Sequence, residues 1–363
     1  MPKNESIRAM LAFFFRLFPI RARTGLRIFG IPDEQSPVFV TTNYVLTVKR
    51  VSNYLKNLDC YLLVASSNGI NVWCAAESGD FNTQSVISVI KTSGISERVR
   101  HRRLILPQLC ASGIDVRLIK AETGWLSEFG PVYAADIPQY VQHGFRKTES
   151  MSRAKRSLKM RFDVAFGSTL PGYLLINLLI LFFKPSWLLE ANLIAVPAFV
   201  AMYTLHPYIP GKEGWKKVLF LELLLLMAVL GYLVFSSAPT VYPVGVFVGA
   251  MIIIFLLGVD FGGMDPTFKG ELAQFLAKIG IRRLGLMSYK GTERIELATG
   301  SKVIQFEESN CSGCGTCCKV CPVGVFHLSE NSDKILIENL DTCIACRACY
   351  VQCPGGAILL KER

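Results

Sequence analysis

The chain has 363 residues, 51% of them hydrophobic and 18% charged, with a formal net charge of +11 at pH 7. It is too long for one small domain and too apolar for an ordinary soluble protein, so part of it is expected to lie in lipid. The excess Lys and Arg gather beside the apolar block, at Arg153, Lys155, Arg156, Lys159 and Arg161, without interleaved aromatics, which argues against a nucleic-acid partner.

In chain order, residues 1–35 read as a basic amphipathic segment. Its apolar stretch Met10–Phe18 is broken by Arg16 and followed by Arg21, Arg23 and Arg27 with no small-residue cleavage site, which predicts an interfacial helix rather than a signal peptide. Over residues 36–150, apolar runs alternate with helical patterns: Tyr61–Ala65, Gly69–Trp73, a helical stretch Phe81–Thr92, Arg103–Leu106, a short Pro107–Ala111 segment and Val116–Ile119. That rhythm predicts an α/β domain. Within it, Asn71-Val72-Trp73-Cys74-Ala75-Ala76 falls at a strand-to-helix junction, and Pro107-Gln108-Leu109 ends a strand, where ligands of open α/β sheets bind. Cys74 reads either as a packed apolar cysteine or as a helix-opening thiolate, the form that ligates metals.

Residues 151–162 form a basic juxtamembrane segment. Val164–Phe183 is 20 residues without a charge and Val241–Val259 is 19, each long enough to cross a hydrocarbon core of roughly 30 Å. Between them, Trp187–Leu205 and Val218–Phe235 are apolar except for Glu190 and Glu222, giving an all-α transmembrane bundle of four spans over 163–260. The two acids mark an ion path or simply reach the interface. Seven Lys/Arg between Arg146 and Arg161 and three lysines in the second loop place both termini in the cytoplasm. Lipid is thus an expected partner, and 261–301 an amphipathic linker.

Of the 12 cysteines, nine lie between Cys311 and Cys353, a cluster-binding distribution rather than a disulfide framework. Cys311, Cys314, Cys317, Cys321-Pro322 and, 32 residues on, Cys343, Cys346, Cys349, Cys353-Pro354 repeat the C-x2-C-x2-C-x3-C-P run of bacterial two-cluster ferredoxins. The fourth cysteine of each run ligates the other cluster. One [4Fe–4S] cluster is therefore assigned to Cys311, Cys314, Cys317 and Cys353, the other to Cys343, Cys346, Cys349 and Cys321. Structural zinc leaves the third cysteine and the Cys-Pro of both runs without a use. Flanking strands, Lys302–Phe306 with Val325–Leu328 and Ile335–Ile337 with Ala357–Leu360, complete an α+β ferredoxin domain over 302–363. Cys318 lies outside the pattern, as a soft-metal thiol or a packed residue.

Taken together, these motifs resemble a natural fusion of the mercury-methylation corrinoid protein with its partner two-cluster ferredoxin. In that family, Asn-Val/Ile-Trp-Cys-Ala, a small residue and then Gly-Lys form a cap helix whose cysteine coordinates corrinoid cobalt from the lower face. The matching positions here are Asn71–Ala76, and the Pro-Gln-Leu segment, Gly130-Pro131-Val132 and Asp136-Ile137-Pro138 follow in the family's order. The resemblance implies a Rossmann-like corrinoid-binding domain over 36–150, with Cys74 as catalytic cobalt ligand. Asn71, Val72, Trp73, Ala75, Pro107, Gln108 and Leu109 would line the cofactor, with Trp73 either on the macrocycle or in the core. It implies an anaerobic methyltransferase in which the ferredoxin reduces cobalt and the methyl group passes to Hg(II) or another soft acceptor. A methyl donor or methyltransferase and an electron donor are the implied partners. Glu77-Ser78 stands where the family has Gly-Lys, and Leu360-Lys361-Glu362-Arg363 lacks its C-terminal vicinal cysteine pair. The alternative is a membrane-anchored electron-transfer protein whose N-terminal domain only docks a partner. Neither G-x-x-x-x-G-K-[ST] nor a strand-opening G-x-G-x-x-G is present, and the four histidines are dispersed.

Overall fold

Val38–Thr42 and Cys60–Ala65 are buried at every residue, as central strands covered on both faces must be. The computed structural model describes residues 3–14, 19–155, 157–158, 161–162, 170–205, 208–209, 214–235, 251, 302–329, 334–338, 340–344 and 346–362. The chain divides into two compact units, Met1–Phe13 with Phe18–Lys155 and Arg283–Arg363, and Phe14–Leu17 with Arg156–Arg282. In the first unit the order is α1 (Lys3–Phe14), β1 (Gly25–Phe29), β2 (Val38–Thr42), α2 (Val45–Leu55), β3 (Cys60–Ala65), α3 (Val72–Ser78), α4 (Thr83–Thr92), α5 (Ile95–Arg98), β4 (Arg103–Leu106), α6 (Val116–Thr123), β5 (Leu126–Phe129), α7 (Ile137–Gln142) and α8 (Glu149–Ser152).

The five strands form one sheet in the order β1-β3-β2-β4-β5. β1 is antiparallel, with Gly25 opposite Val64, and the other pairs are parallel, with Val38 opposite Tyr61, Phe39 opposite Ile105 and Arg103 opposite Leu126. Successive strand residues point to opposite faces. Val38, Val40, Leu63 and Ala65 therefore pack with Ala75, Ala76, Val86, Ile90 and Ile119 from α3, α4 and α6. Phe39, Leu62 and Val64 pack with Val45, Val48 and Leu55 of α2.

Two local expectations are corrected. Gly69–Trp73 is not a run of one kind: Gly69 has φ +77, Asn71 caps a helix, and Val72 begins it. Val116–Ile119 is helical, because Asp115 accepts from Arg117 N at 2.9 Å to start α6, Gly124 closes it in the left-handed conformation, and Ile119 is its buried position. One face of the N-terminal helix, read as interfacial, packs on the domain, while its Ile7, Met10 and Leu11 are exposed. Ala9 and Ala12 are buried beside Val45 and Val64, and Tyr44 Oη donates to Ala12 O at 3.2 Å.

The second unit overturns the transmembrane bundle and, with it, the multi-pass cytoplasmic-membrane localisation: among the described residues no helix is long and apolar enough to cross a membrane. The apolar run expected to span from Val164 is helical over Leu170–Phe183, 14 residues, and stops at Lys184-Pro185; residues 164–169 lie outside the described residues. The next helix, Leu188–Leu205, carries Pro197 internally, and the third, Gly214–Phe235, contains Lys216, Lys217 and Glu222. Polar side chains join the first two: Tyr173 Oη donates to Asn192 Oδ1, and Asn192 Nδ2 to Asn177 Oδ1 at 2.5 Å. Of the fourth expected span, Val241–Val259, only Met251 is described, and the linker 261–301 lies outside the described residues.

The C-terminal cysteine repeats lie in the first unit with the sheet domain. β6 (Lys302–Phe306) pairs antiparallel with β9 (Ile358–Glu362), and β7 (Phe326–Leu328) with β8 (Ile335–Ile337). The strands exist where expected but their pairing is corrected. The outermost strands of the two repeats pair with each other, as do the innermost, because the repeats are related by a pseudo-twofold and close on one another. Their helices, Thr316–Val320 and Ala348–Gln352, start alike, after Gly315 at φ +66 and Arg347 at φ +53. They also end alike, at Cys321 (ψ 112°) and Cys353 (ψ 113°).

Candidate functional site

The carboxyl ends of β2, β3 and β4 carry Asn43, the Ser67–Asn71 loop and the Pro107–Cys110 turn, the edge where parallel sheets bind ligands. Asn43, buried, organises it. Its Oδ1 accepts from Ser67 N at 2.9 Å, Ser67 Oγ at 3.0 Å and Gly69 N at 3.0 Å. The loop so fixed delivers Asn71 to the start of α3, where Oδ1 accepts from Cys74 N at 3.0 Å and Nδ2 lies 3.4 Å from Cys74 Sγ. Cys74 is exposed, which removes the packed-cysteine reading. Ala75 and Ala76 anchor the opposite side of the helix in the core. Gly113 makes that seating possible, since a Cβ there would meet Ala76 O at 2.5 Å. Cys74 thus presents a soft sulfur donor on a short, rigidly seated helix, which suits a metal held from one side.

Trp73 and Glu77, one turn apart, share the adjoining face of α3. They line a small cavity with Gln108, Leu109 and Ser112 of the sheet domain and Val320, Pro322, Cys346 and Ala348 of the cysteine repeats. Of the residues expected to line a cofactor, Trp73, Gln108 and Leu109 are brought together here. Cys74 lies about 100° round the helix from Trp73, and Ala75 points into the core.

Both repeats lean on this face. Gln352 Nε2 donates to Ala111 O at 2.7 Å and Ile114 O at 2.5 Å. Ala154 N donates to Pro322 O at 2.7 Å, and Arg117 reaches Val351 O at 3.4 Å. Ala111, Val320 and Ala348 form a buried apolar cluster between the parts, with Phe129 and Cys346 packed against it. Lys147 Nζ donates to Gln108 Oε1 at 2.7 Å and to Lys319 O at 2.8 Å. Asn43, Gln352 and Lys147 escaped the sequence reading. Only for Asn43 is there a local signal, an amide directly after a strand of buried residues.

Burial, and secondarily the charge of Lys319, lowers the Lys147 ammonium to a pKa of about 7. An unfolded lysine titrates near 10.4. Between those values the unfolded chain binds more protons, so this group's contribution to stability rises with pH across that window and its penalty is fully present below it. Denaturant midpoints at about pH 6 and about pH 9 are expected to differ more for the native chain than for Lys147→Met, with the native chain gaining at the higher pH.

The cysteines of the repeats are graded in exposure. Cys317, Cys321 and Cys349 are buried, Cys311, Cys343, Cys346 and Cys353 half-buried, and Cys314 exposed. Backbone amides point at their sulfurs in matched positions: Val325 N lies 3.3 Å from Cys321 Sγ and Ala357 N 3.2 Å from Cys353 Sγ, while Gly313 N lies 3.4 Å from Cys311 Sγ. Burial pushes the Cys349 thiol well up, and burial with the Glu77 carboxylate does the same at Cys346. Thiolates in such places need cationic metal beside them, so the residues fit iron–sulfur clusters. Among the described residues no three His, Cys, Asp or Glu converge on a single-ion site. A cubane does not ask for that, since its thiolates bind separate irons. Cys318 is half-buried, packed against the apolar cluster within the repeats that includes Val325, Phe326, Ile335 and Ile358.

Residues 16–141 match the family described as CO dehydrogenase/acetyl-CoA synthase delta subunit, and residues 310–358 match the 4Fe-4S dicluster domain. The first part is 40% identical over 119 residues to the acetyl-CoA decarbonylase/synthase complex subunit gamma of Methanothermobacter thermautotrophicus, covering 32% of this chain and 26% of that protein. The Methanopyrus kandleri gamma subunit is 33% identical over 126 residues, 34% of this chain and 27% of that one. The corrinoid/iron-sulfur protein large subunit of Moorella thermoacetica is 31% identical over 128 residues, 34% of this chain and 28% of that one. The chain spans about a quarter of the length of these relatives. It combines a domain like that of corrinoid/iron–sulfur proteins with a 4Fe-4S dicluster domain.

Proposed function

We propose that the chain performs corrinoid-dependent methyl transfer, with Cys74 as the lower ligand of cobalt and the fused dicluster domain as its reductant. The observation that carries this is Cys74 itself: exposed, held by Asn71 at the start of α3, and one residue from the Trp73 face on which the cysteine repeats rest. The similarity of residues 16–141 to corrinoid/iron–sulfur proteins supports it. The corrinoid, when bound, supplies a cobalt that carries and releases a methyl group. The chain's own residues do the rest. Asn71 orients the sulfur, Ala75 and Ala76 hold the helix against the sheet, and the repeats shield the Trp73 face from water. With a corrinoid bound, the Cys74 thiolate as cobalt ligand would make the metal electron-rich, which would favour an electrophilic soft acceptor, Hg(II) or another. Protein partners follow from the same reading: a methyl donor or methyltransferase and a low-potential electron donor. The gamma relatives are themselves, by name, subunits of a complex.

Metal content, absorption and electron paramagnetic resonance (EPR) spectra of the chain made anaerobically with added corrinoid test this. The native chain is expected to bind base-off corrinoid and about eight irons. Cys74→Ala is expected to keep the iron and change the cobalt signal. Iron without cobalt in the native chain would leave only an electron-transfer protein.

A further inference from the structure

The two repeats are alike in backbone but unlike in surroundings. Cys314 and Cys346 occupy equivalent positions 32 residues apart; the first is exposed, the second lines the cavity under α3. The prolines after the fourth cysteines differ in the same sense, with Pro322 buried in that cavity and Pro354 exposed. Under the crossed ligand assignment, Cys346 and Pro322's neighbour Cys321 belong to one cluster, and Cys314 and Pro354's neighbour Cys353 to the other. These two departures from the pseudo-twofold therefore fall the same way.

We propose that the two clusters have fixed and different roles: the one on Cys343, Cys346, Cys349 and Cys321 is the exit side, facing Trp73 and Glu77, and the one on Cys311, Cys314, Cys317 and Cys353 is the uptake side, facing an external donor. This rests on the function proposed above and names its electron route. With clusters bound, an electron from a low-potential one-electron donor would enter on the uptake side and leave from the exit side toward the acceptor beside Cys74. The transfer between the clusters makes and breaks no bond and needs no proton.

Glu77 gives the exit side a second distinction, because it lines the same cavity as Cys346, at a position where the resembled family has glycine. Negative charge next to a cluster disfavours its reduced, more negative form, so a carboxylate at this position would make that cluster the stronger reductant. Glu77 acts here as a positioning residue for potential rather than as a ligand.

The test is an EPR-monitored redox titration of the full chain reconstituted with iron and sulfide, with no corrinoid added. Cys346→Ser and Cys314→Ser each mark one cluster's signal. Glu77→Gln is expected to shift the Cys346-marked cluster to more positive potential, and Ser112→Asp, on the same cavity wall, to shift it to more negative potential, with the Cys314-marked cluster unmoved by either. Equal shifts of both clusters, a shift of the Cys314-marked cluster alone, or no shift in protein with native iron content would overturn the assignment. If Ser112→Asp does not fold, Glu77→Gln decides alone. Because corrinoid is absent, failure of the methyl-transfer reading leaves this result unaffected.

Discussion

Asn43→Ala is expected to destabilise the sheet domain by about 3 kcal/mol, more than a single lost hydrogen bond, because it orphans two buried amides, Ser67 N and Gly69 N, at once. Ser67 Oγ keeps a second acceptor in Ile70 O at 2.8 Å, so the hydroxyl adds little. The loss is local as well as global. The loop it releases is the one that delivers Asn71 to the helix start, and Cys74 should become mobile before the sheet melts. Asn43→Asp retains the accepting oxygen and is expected to lose much less. Urea unfolding, with thiol-modification rates at Cys74 in the folded protein, separates these outcomes. A native-like Asn43→Ala chain would show that the Ser67–Asn71 loop is held by other contacts.

Gln352→Leu is expected to loosen the seating of the cysteine repeats on the sheet domain without unfolding either. The side chain is buried and its Nε2 bridges two carbonyls of the Ala111–Ile114 turn, while leucine fills the same space and satisfies neither. A cost of about 2 kcal/mol corresponds to a roughly 30-fold faster local opening. Hydrogen exchange should show it at amides of residues 110–114 and 346–353, with β2 and β3 unchanged. Uniform acceleration across the sheet would mean that the two parts unfold as one, and no change would remove Gln352 from the interface. Because the exit cluster is defined by this seating, the same variant should also weaken the effect of Glu77→Gln on cluster potential.

How much of this was legible beforehand depends on how local the cause is. The doubled cysteine run depends on short spacings along the chain, and the match of residues 310–358 to the dicluster family bears out that iron–sulfur domain. The helical stretch read over Phe81–Thr92 and found as Thr83–Thr92, and the strands read as Tyr61–Ala65 and Arg103–Leu106 and found as Cys60–Ala65 and Arg103–Leu106, are legible because each carries its own period and its own breakers. The run Val116–Ile119 is ambiguous because three apolar residues around Arg117 fit a helical stripe and a strand alike; Asp115 and Gly124, outside the run, decide it. The apolar middle was misjudged for a related reason. Composition counts uncharged residues over a stretch, whereas a span must be one long apolar helix: Leu188–Leu205 carries Pro197 internally, Gly214–Phe235 contains Lys216, Lys217 and Glu222, and among the described residues no helix is long and apolar enough to cross a membrane.

The sequence by itself determined which chemistry is on offer: eight cysteines at cubane spacing, and Cys74 behind a capping asparagine. Side-chain identity and short-range spacing suffice for that, because ligand type and helix starts are decided within a few residues. Only the tertiary structure decided where that chemistry points. Asn43 brings two strand ends together, Gly113 lets α3 settle on the turn beside it, and Gln352 and Lys147 bring residues more than 150 positions apart into contact. None of these pairings leaves a periodic trace in the chain, since each is a single contact between distant segments. Two repeats nearly identical in sequence pattern thereby acquire different environments, one cysteine exposed and its counterpart beneath the helix that carries Cys74.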